Sequence, residues 1–325
     1  MNVAIVGCNG MGRHHARMAA NCGLRIVVCA DVQKPIARAL ADAHGADSMT
    51  DCLAAVERRD VDIVAVTTPT PTHTFYVAAA ARAGKHIFCE KPFGRTVEQC
   101  REAMAAVQKA GVKLFVGHVV RYFQEFEAMR AQVEAGKVGK PGFVKLYRGG
   151  IFPTGVNGWF RDYSQSGGVA FDSMIHDLDW LRYVFGEPER IFCQAIQRST
   201  PEHLDYAMAT VRMKSGLIAK VIGTWAHPSG FRVEAEICGD KGMIQFNSDE
   251  APLFVARRNT GGGGPGMIVP ASPVPVSPYE LEWRDFLSWI EGKSAARVTP
   301  EDGLAAVRMA AAALKSVESG KPVNL

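Results

Sequence analysis

No apolar run in this 325-residue chain approaches the roughly 18 residues that a membrane span needs. No block of five like charges occurs either. With 37 Lys and Arg against 33 Asp and Glu, the net charge is only +4, which is no electrostatic footprint for nucleic acid. There are eight cysteines, but none forms a C-x-x-C pair, and their spacing matches no zinc site or disulfide framework. No internal repeat or long low-complexity segment appears. Met1 leads almost at once into a strand-like run, with no basic segment and apolar core before it, which argues against a secretory signal. Cysteines placed inside apolar runs behave as small hydrophobes, so a reducing cytoplasm is the expected location.

What is present is a globular composition. Hydrophobic residues make up 47% and charged residues 22%, which excludes a disordered chain. At this length two domains are expected. The first third alternates strand candidates (3–6, 24–30, 63–67, 86–89, 114–116) with helix candidates (11–21, 35–44, 73–83, 97–110). Strict alternation implies right-handed crossovers and a parallel sheet. Runs without polar alternation suit strands covered on both faces. After about residue 120 the pattern changes. Strands are expected at 143–147, 190–197, 207–213, 218–225, 232–238 and 243–246, and helices at 123–134, 173–184, 278–291 and 300–319. Lys214-Ser215-Gly216 and Asp240-Lys241-Gly242 read as hairpin turns, hence an antiparallel sheet. Residues 261–266 with Pro270, Pro273, Pro275 and Pro278 read as a loop. The expectation is α/β: a doubly wound parallel sheet in 1–120, then an α+β domain in 121–325.

Gly7-Cys8-Asn9-Gly10-Met11-Gly12 follows the first strand and opens the first helix. This is close to the G-x-G-x-x-G turn that lets backbone approach a dinucleotide pyrophosphate at a helix N-terminus. The second glycine is replaced by Asn9, a residue that tolerates left-handed backbone angles, and the neighbouring Gly10 could relieve its bulk. Asp31 ends the second strand, 19 positions after Gly12. A carboxylate there accepts ribose hydroxyls and repels a 2′-phosphate, which favours NAD over NADP. Lys34 leaves some room for NADP. The alternative is a glycine turn with a capping Asp and no nucleotide.

Two further stretches carry chemistry. Glu90-Lys91-Pro92 follows the fourth strand, at the carboxyl edge where open α/β sheets bind ligands. Lys91 there is either directed at a nicotinamide or simply a surface lysine. On a continuous helix, Asp172, His176 and Asp179 fall within roughly 60° of one another, opposite Met174, Leu178, Leu181 and Phe185. An imidazole one turn from a carboxylate suits proton transfer; a solvated helix face is the plainer alternative. Asp/His/Asp can also ligate a metal, but no Cys or second His lies at ligand spacing, so none is expected. Asn157, Trp159, Arg161 and Asp162 precede this helix, and Arg121 and Tyr122 follow the last strand of the first domain. Each suits either substrate contact or packing.

On these motifs the chain resembles the glucose–fructose oxidoreductase / inositol dehydrogenase (Gfo/Idh/MocA) family over essentially its whole length. The resemblance rests on the glycine turn, Thr68-Pro69 through His73, Glu90-Lys91-Pro92, the Asp172–His176 helix start, Asp205 leading a strand, and Glu236-x-x-Gly239-x-x-Gly242. It implies a dehydrogenase with an N-terminal Rossmann domain. Its second domain would carry a large, mostly antiparallel sheet that holds the substrate and often builds a homodimer or homotetramer. The implied cofactor-binding residues are Gly7, Asn9, Gly10, Met11, Gly12, Asp31, Thr68, Pro69, His73, Glu90 and Lys91. Lys91, Asp172 and His176 would be catalytic: His176 as base, Asp172 orienting it, Lys91 stabilising the oxyanion. Lys91, Arg121, Asn157, Trp159, Asp172, His176 and Asp179 would meet substrate. The expected reaction is NAD-dependent oxidation of a secondary hydroxyl on a cyclic polyol or sugar. An NAD-dependent glycosidase acting through transient oxidation is the alternative. A non-catalytic NAD-binding sensor would be expected to lose Lys91 or His176, and both are present.

Overall fold

The computed structural model describes residues 1–153, 155–196, 205–228, 230–250 and 276–325. Residues 261–275 of the expected loop that runs to Pro278, and Gln197 of an expected strand, lie outside them. The chain divides into two compact units, Met1–His118 with Tyr279–Leu304, and Val119–Pro278 with Ala305–Leu325.

In the first unit the order is β1 (Asn2–Val6), α1 (Gly10–Asn21), β2 (Arg25–Ala30), α2 (Lys34–His44), β3 (Asp47–Met49), α3 (Cys52–Val56), β4 (Ile63–Val66), α4 (His73–Arg82), β5 (His86–Glu90), α5 (Val97–Ala110) and β6 (Leu114–Gly117). The sheet order is β3-β2-β1-β4-β5-β6, with every pair parallel. β4 and β6 are buried along their whole length, as helices on both faces require. The strand order reverses between β1 and β4, the crevice where such sheets take ligands. Gly45 and Gly111 close α2 and α5 in left-handed backbone, the usual helix stop. The sequence signals did not reveal β3 or α3, both short and weakly apolar.

Residues 279–304 were expected in the second domain but pack within the first unit. The cause is aromatic. Among the second half's helices, α10 (Pro278–Ile290) carries Trp283, stacked on Phe88 at 4.5 Å and 10°, and Phe286, 5.6 Å from Phe115. All four rings are fully buried.

The second unit contains α6 (Gln124–Glu134), β7 (Pro141–Gly149), α7 (Tyr163–Ser166), α8 (Gly168–Asp172), α9 (Ile175–Phe185), β8 (Pro188–Ile196), β9 (Tyr206–Met213), β10 (Ile218–Thr224), β11 (Arg232–Gly239) and β12 (Met243–Asn247). It also takes most of α11 (Pro300–Ser319) and β13 (Val323–Asn324). Its sheet runs β12-β11-β7-β10-β9-β8-β13. Only β7 and β10 pair in parallel; the other pairs are antiparallel. Both expected hairpins are present, joining β9 to β10 and β11 to β12. Burial alternates strictly along β9, so one sheet face is covered and the other is open.

Candidate functional site

The glycine turn is sterically closed. A Cβ on Gly7 (φ +91) would lie 2.7 Å from the Thr67 backbone, and one on Gly12 would lie 1.9 Å from the Gly7 carbonyl. Asn9 is extended (φ −95), so its tolerance for left-handed angles is not used. Gly10 carries the positive φ instead. Asp31 directly follows β2, against this turn. Its Oδ2 accepts from the Cys8 amide and its Oδ1 from the Gln33 amide, each at 2.9 Å. Two backbone donors thus aim the carboxylate and leave lone pairs for further hydroxyls. This turn, the start of α1 with Met11, and Asp31 fit a dinucleotide: a tight backbone cradle for pyrophosphate and an oriented acceptor for ribose.

Lys91 sits half-buried at the end of β5, in a loop tied from two sides. Glu90 Oε2 accepts from the Lys91 amide at 2.9 Å, and Glu90 Oε1 is 2.6 Å from His15 Nε2. Trp283 Nε1 donates to His15 Nδ1 at 3.1 Å. An indole N–H can only donate, so Nδ1 accepts and Nε2 carries the proton given to Glu90. Burial alone would raise the Glu90 carboxyl; the His15 hydrogen bond and the nearby Lys91 charge outweigh it and hold its pKa below the usual value. His73 is buried, with Nδ1 2.7 Å from the Pro92 carbonyl and Nε2 2.6 Å from that of Thr68. It therefore joins the Thr68-Pro69 turn to the residue after Lys91. Burial lowers its pKa, while the two carbonyls oppose that shift by favouring the doubly protonated ring.

Behind this loop lies Glu282 on α10. It is fully buried, and neither carboxyl oxygen has a hydrogen-bond partner among the described residues. Burial, with Glu90 and Asp285 adding repulsion, pushes its pKa well above the ordinary carboxylate value.

The second unit holds Asp172 and His176. The expected continuous helix is broken between them. The Met174 amide reaches the Val169 carbonyl five residues back, and the His176 amide then bonds Ser173 only three residues back. A wide turn followed by a tight one resets the helical phase, so Asp172 ends α8 while His176 begins α9. Asp179 is not on an accessible stripe as the helical wheel implied. It is 1% exposed, because Arg121 Nε and Nη2 grip its two oxygens at 2.8 and 2.6 Å. Asp177 is held likewise by Arg148 of β7, both contacts at 2.8 Å. Arg121 and Asp179, both expected at substrate, are instead engaged with each other, and Arg121 lies 4.3 Å above the Tyr183 ring. From Met174 to Leu181, only His176 escapes burial.

Asn157 is exposed and left-handed (φ 54), on the 3-10 turn Val156–Arg161. The Trp159 ring lies 4.0 Å from that of Phe160, tilted by 30°. Tyr122 is buried. His15, Trp283, Arg148 and Asp177 were not anticipated; Trp283 and His15 are 268 positions apart, beyond any local pattern. Among the described residues no group of three His, Cys, Asp or Glu could hold a metal.

Fold and turn together define a pyridine-nucleotide oxidoreductase. Residues 1–118 match the oxidoreductase family with an NAD-binding Rossmann fold, and residues 126–245 match the GFO/IDH/MocA C-terminal domain. The chain belongs to the GFO/IDH/MocA family of oxidoreductases, and its nucleotide is NAD. It is 29% identical to an inositol 2-dehydrogenase of Rhizobium meliloti, over 99% of this chain and 98% of the relative. It is 31% identical to a 1,5-anhydro-D-fructose reductase of Ensifer adhaerens, over 82% of this chain and 80% of that one. A solved myo-inositol dehydrogenase of Corynebacterium glutamicum superposes with a TM-score of 0.80 at 25% identity, covering 100% and 98% of the two chains.

Proposed function

We propose that this protein is an NAD-dependent dehydrogenase that oxidises a secondary hydroxyl of a cyclic polyol or sugar. The observation that carries this reading is the exposure of His176. It is the one accessible side chain of a helix segment whose two carboxylates are locked to arginines. Relatives named as inositol 2-dehydrogenases, aligned over nearly the whole chain, support the substrate class.

His176 takes the hydroxyl proton as general base. Asp172, half-buried at the end of α8, orients the imidazole and stabilises its charge. Lys91 stabilises negative charge developing on the substrate oxygen. Asn157 and Trp159 meet the substrate's hydroxyls and its apolar face. The glycine turn, Asp31 and the Thr68–His73 turn hold NAD, which when bound supplies the carbon that accepts hydride.

The test is NADH fluorescence with NAD and NADP against inositols, hexoses, pentoses and sugar acids. Reduction with a cyclitol or free sugar, faster with NAD, is expected. Silence across the panel with NAD binding intact would overturn this reading.

The enzyme works in the cytoplasm as a homo-oligomer. Among the described residues no helix is long and apolar enough to cross a membrane. The open sheet face carries Ile218 beside Phe143 on paired strands, with Met208, Tyr206 and Met243, each 36–57% exposed. Apolar faces of this kind are normally covered. Sedimentation velocity is expected to give a dimer or tetramer; a monomer at micromolar concentration would contradict it.

A further inference from the structure

The second unit contains a cleft that the proposed chemistry does not use. Its volume is about 430 Å³, within the usual range of small-molecule sites of roughly 300–1,000 Å³. Phe152, Phe160 and Tyr163 form its aromatic walls, and Arg161, Asp205 and Glu318 supply charge. The aromatic side is braced from behind: Trp225, 5% exposed, meets Phe152 at 5.3 Å and Phe160 at 5.8 Å, both edge-on. Asp205 is 4% exposed, so a buried acid faces a mostly apolar cleft. Arg161 and Glu318 come from different elements, the turn before α7 and the end of α11. Neither makes an ion pair or side-chain hydrogen bond with a described residue, although both line the same space.

The chemistry of this lining selects its occupant. Among the described lining residues one guanidinium stands against two carboxylates, which gives the cleft no excess of positive charge for a sugar phosphate or sugar acid. Carboxylates that accept, a guanidinium that donates and aromatic faces that shed water suit a neutral ring with polar edges and an apolar C–H face. That is a saccharide ring. Position then ties it to the reaction. Gly168 lines the cleft and opens α8, whose fifth and last residue is Asp172. At about 1.5 Å of rise per residue, the cleft begins roughly 6 Å from that carboxylate's backbone.

We propose that this cleft is a second-ring subsite, and that the preferred substrate is a glycosylated polyol or sugar rather than the free ring. The inference rests on the dehydrogenase reading and narrows it. Binding of the outer ring supplies energy remote from the reacting carbon, which raises turnover as well as affinity. The reaction is unchanged: a C–H hydride passes to NAD and the hydroxyl proton to His176, leaving a ketone on the glycosylated ring and NADH.

The experiment compares D-glucose with maltose and cellobiose, and myo-inositol with its α-galactoside, in wild type, Tyr163→Ala and Glu318→Ala. At least one glycosylated member is expected to exceed its free ring tenfold or more in kcat/KM. Both variants should erase that advantage and leave the free ring within twofold. Equal rates on free and glycosylated rings in wild type, or variants that depress both alike, would overturn the subsite. If no compound here is oxidised, the dehydrogenase reading is decided separately, by the wider inositol, sugar and sugar-acid panel. Saturation-transfer NMR of maltose, cellobiose and the galactoside on the NAD-loaded protein then decides the subsite: binding lost in both variants supports it, and absent or unaltered binding refutes it. Release of the outer sugar without net NADH would assign the same cleft to glycoside cleavage and overturn the oxidation product named here.

Discussion

The two units hold Lys91 and His176, the side chains proposed to react, by different means. In the first, the loop of Lys91 is tied by hydrogen bonds from an imidazole and a backbone amide to Glu90, with an indole fixing the imidazole. In the second, the helix of His176 is gripped by two buried guanidinium forks, Arg148 on Asp177 and Arg121 on Asp179. The difference follows from what each support must fix. Lys91 directly follows a strand whose position the sheet already sets, so local bonds suffice. A helix can still rotate and slide, and a planar bidentate pair restrains both motions. The second solution has a cost, since burying two charges is repaid only when geometry is good.

The comparison breaks most visibly at His176. His176→Ala should lower kcat by roughly 10²–10⁴-fold while NAD affinity, measured by NADH fluorescence, stays near wild type. Next comes the fork beside it. Arg148→Met alone leaves Asp177 buried and uncompensated and should cost about 3–5 kcal/mol in urea denaturation. Adding Asp177→Leu should recover most of that stability, because an apolar pair packs without desolvation cost. If the fork positions His176, the double variant stays folded but slow; full activity in it would reduce the pair to a structural role.

The first unit offers smaller effects. Asp31→Ala removes an acceptor of charged hydrogen bonds worth about 1.5–3 kcal/mol, so KM for NAD should rise roughly tenfold or more and the NAD/NADP ratio should fall. Glu282 gives the smallest. Its folded pKa is raised, so the folded state keeps a proton that the unfolded state has released. Stability therefore falls as pH rises from the ordinary carboxylate range toward the folded value. Glu282→Gln should flatten that fall, read as urea midpoints between about pH 5 and 8, the span in which stability is commonly maximal. An unchanged slope would show that Glu282 is not the group responsible.

The parallel sheet was legible because its strands are continuous apolar runs and its turns are marked by glycine and proline. The glycine turn, Asp31 and Glu90-Lys91-Pro92 were legible for the same reason: each is a short local motif. The supports were not. Trp283 reaches His15 across most of the chain, and α10 joins the first unit through aromatic stacking that no local pattern encodes. Helical periodicity placed Asp179 beside His176 on an open face. It could not foresee the wide turn at Met174, or that Arg121 would claim that carboxylate. Asn9 tolerates left-handed angles but stands extended, and Gly10 beside it takes the positive φ.

The most direct test of the account is the pH dependence of kcat on the best polyol substrate, in wild type and in His176→Ala. If the His176 imidazole is the base, wild type loses activity on the acid side and the variant's residual rate lacks that limb. The same acid limb in both proteins would remove His176 from the mechanism, and with it the reason for gripping its helix twice.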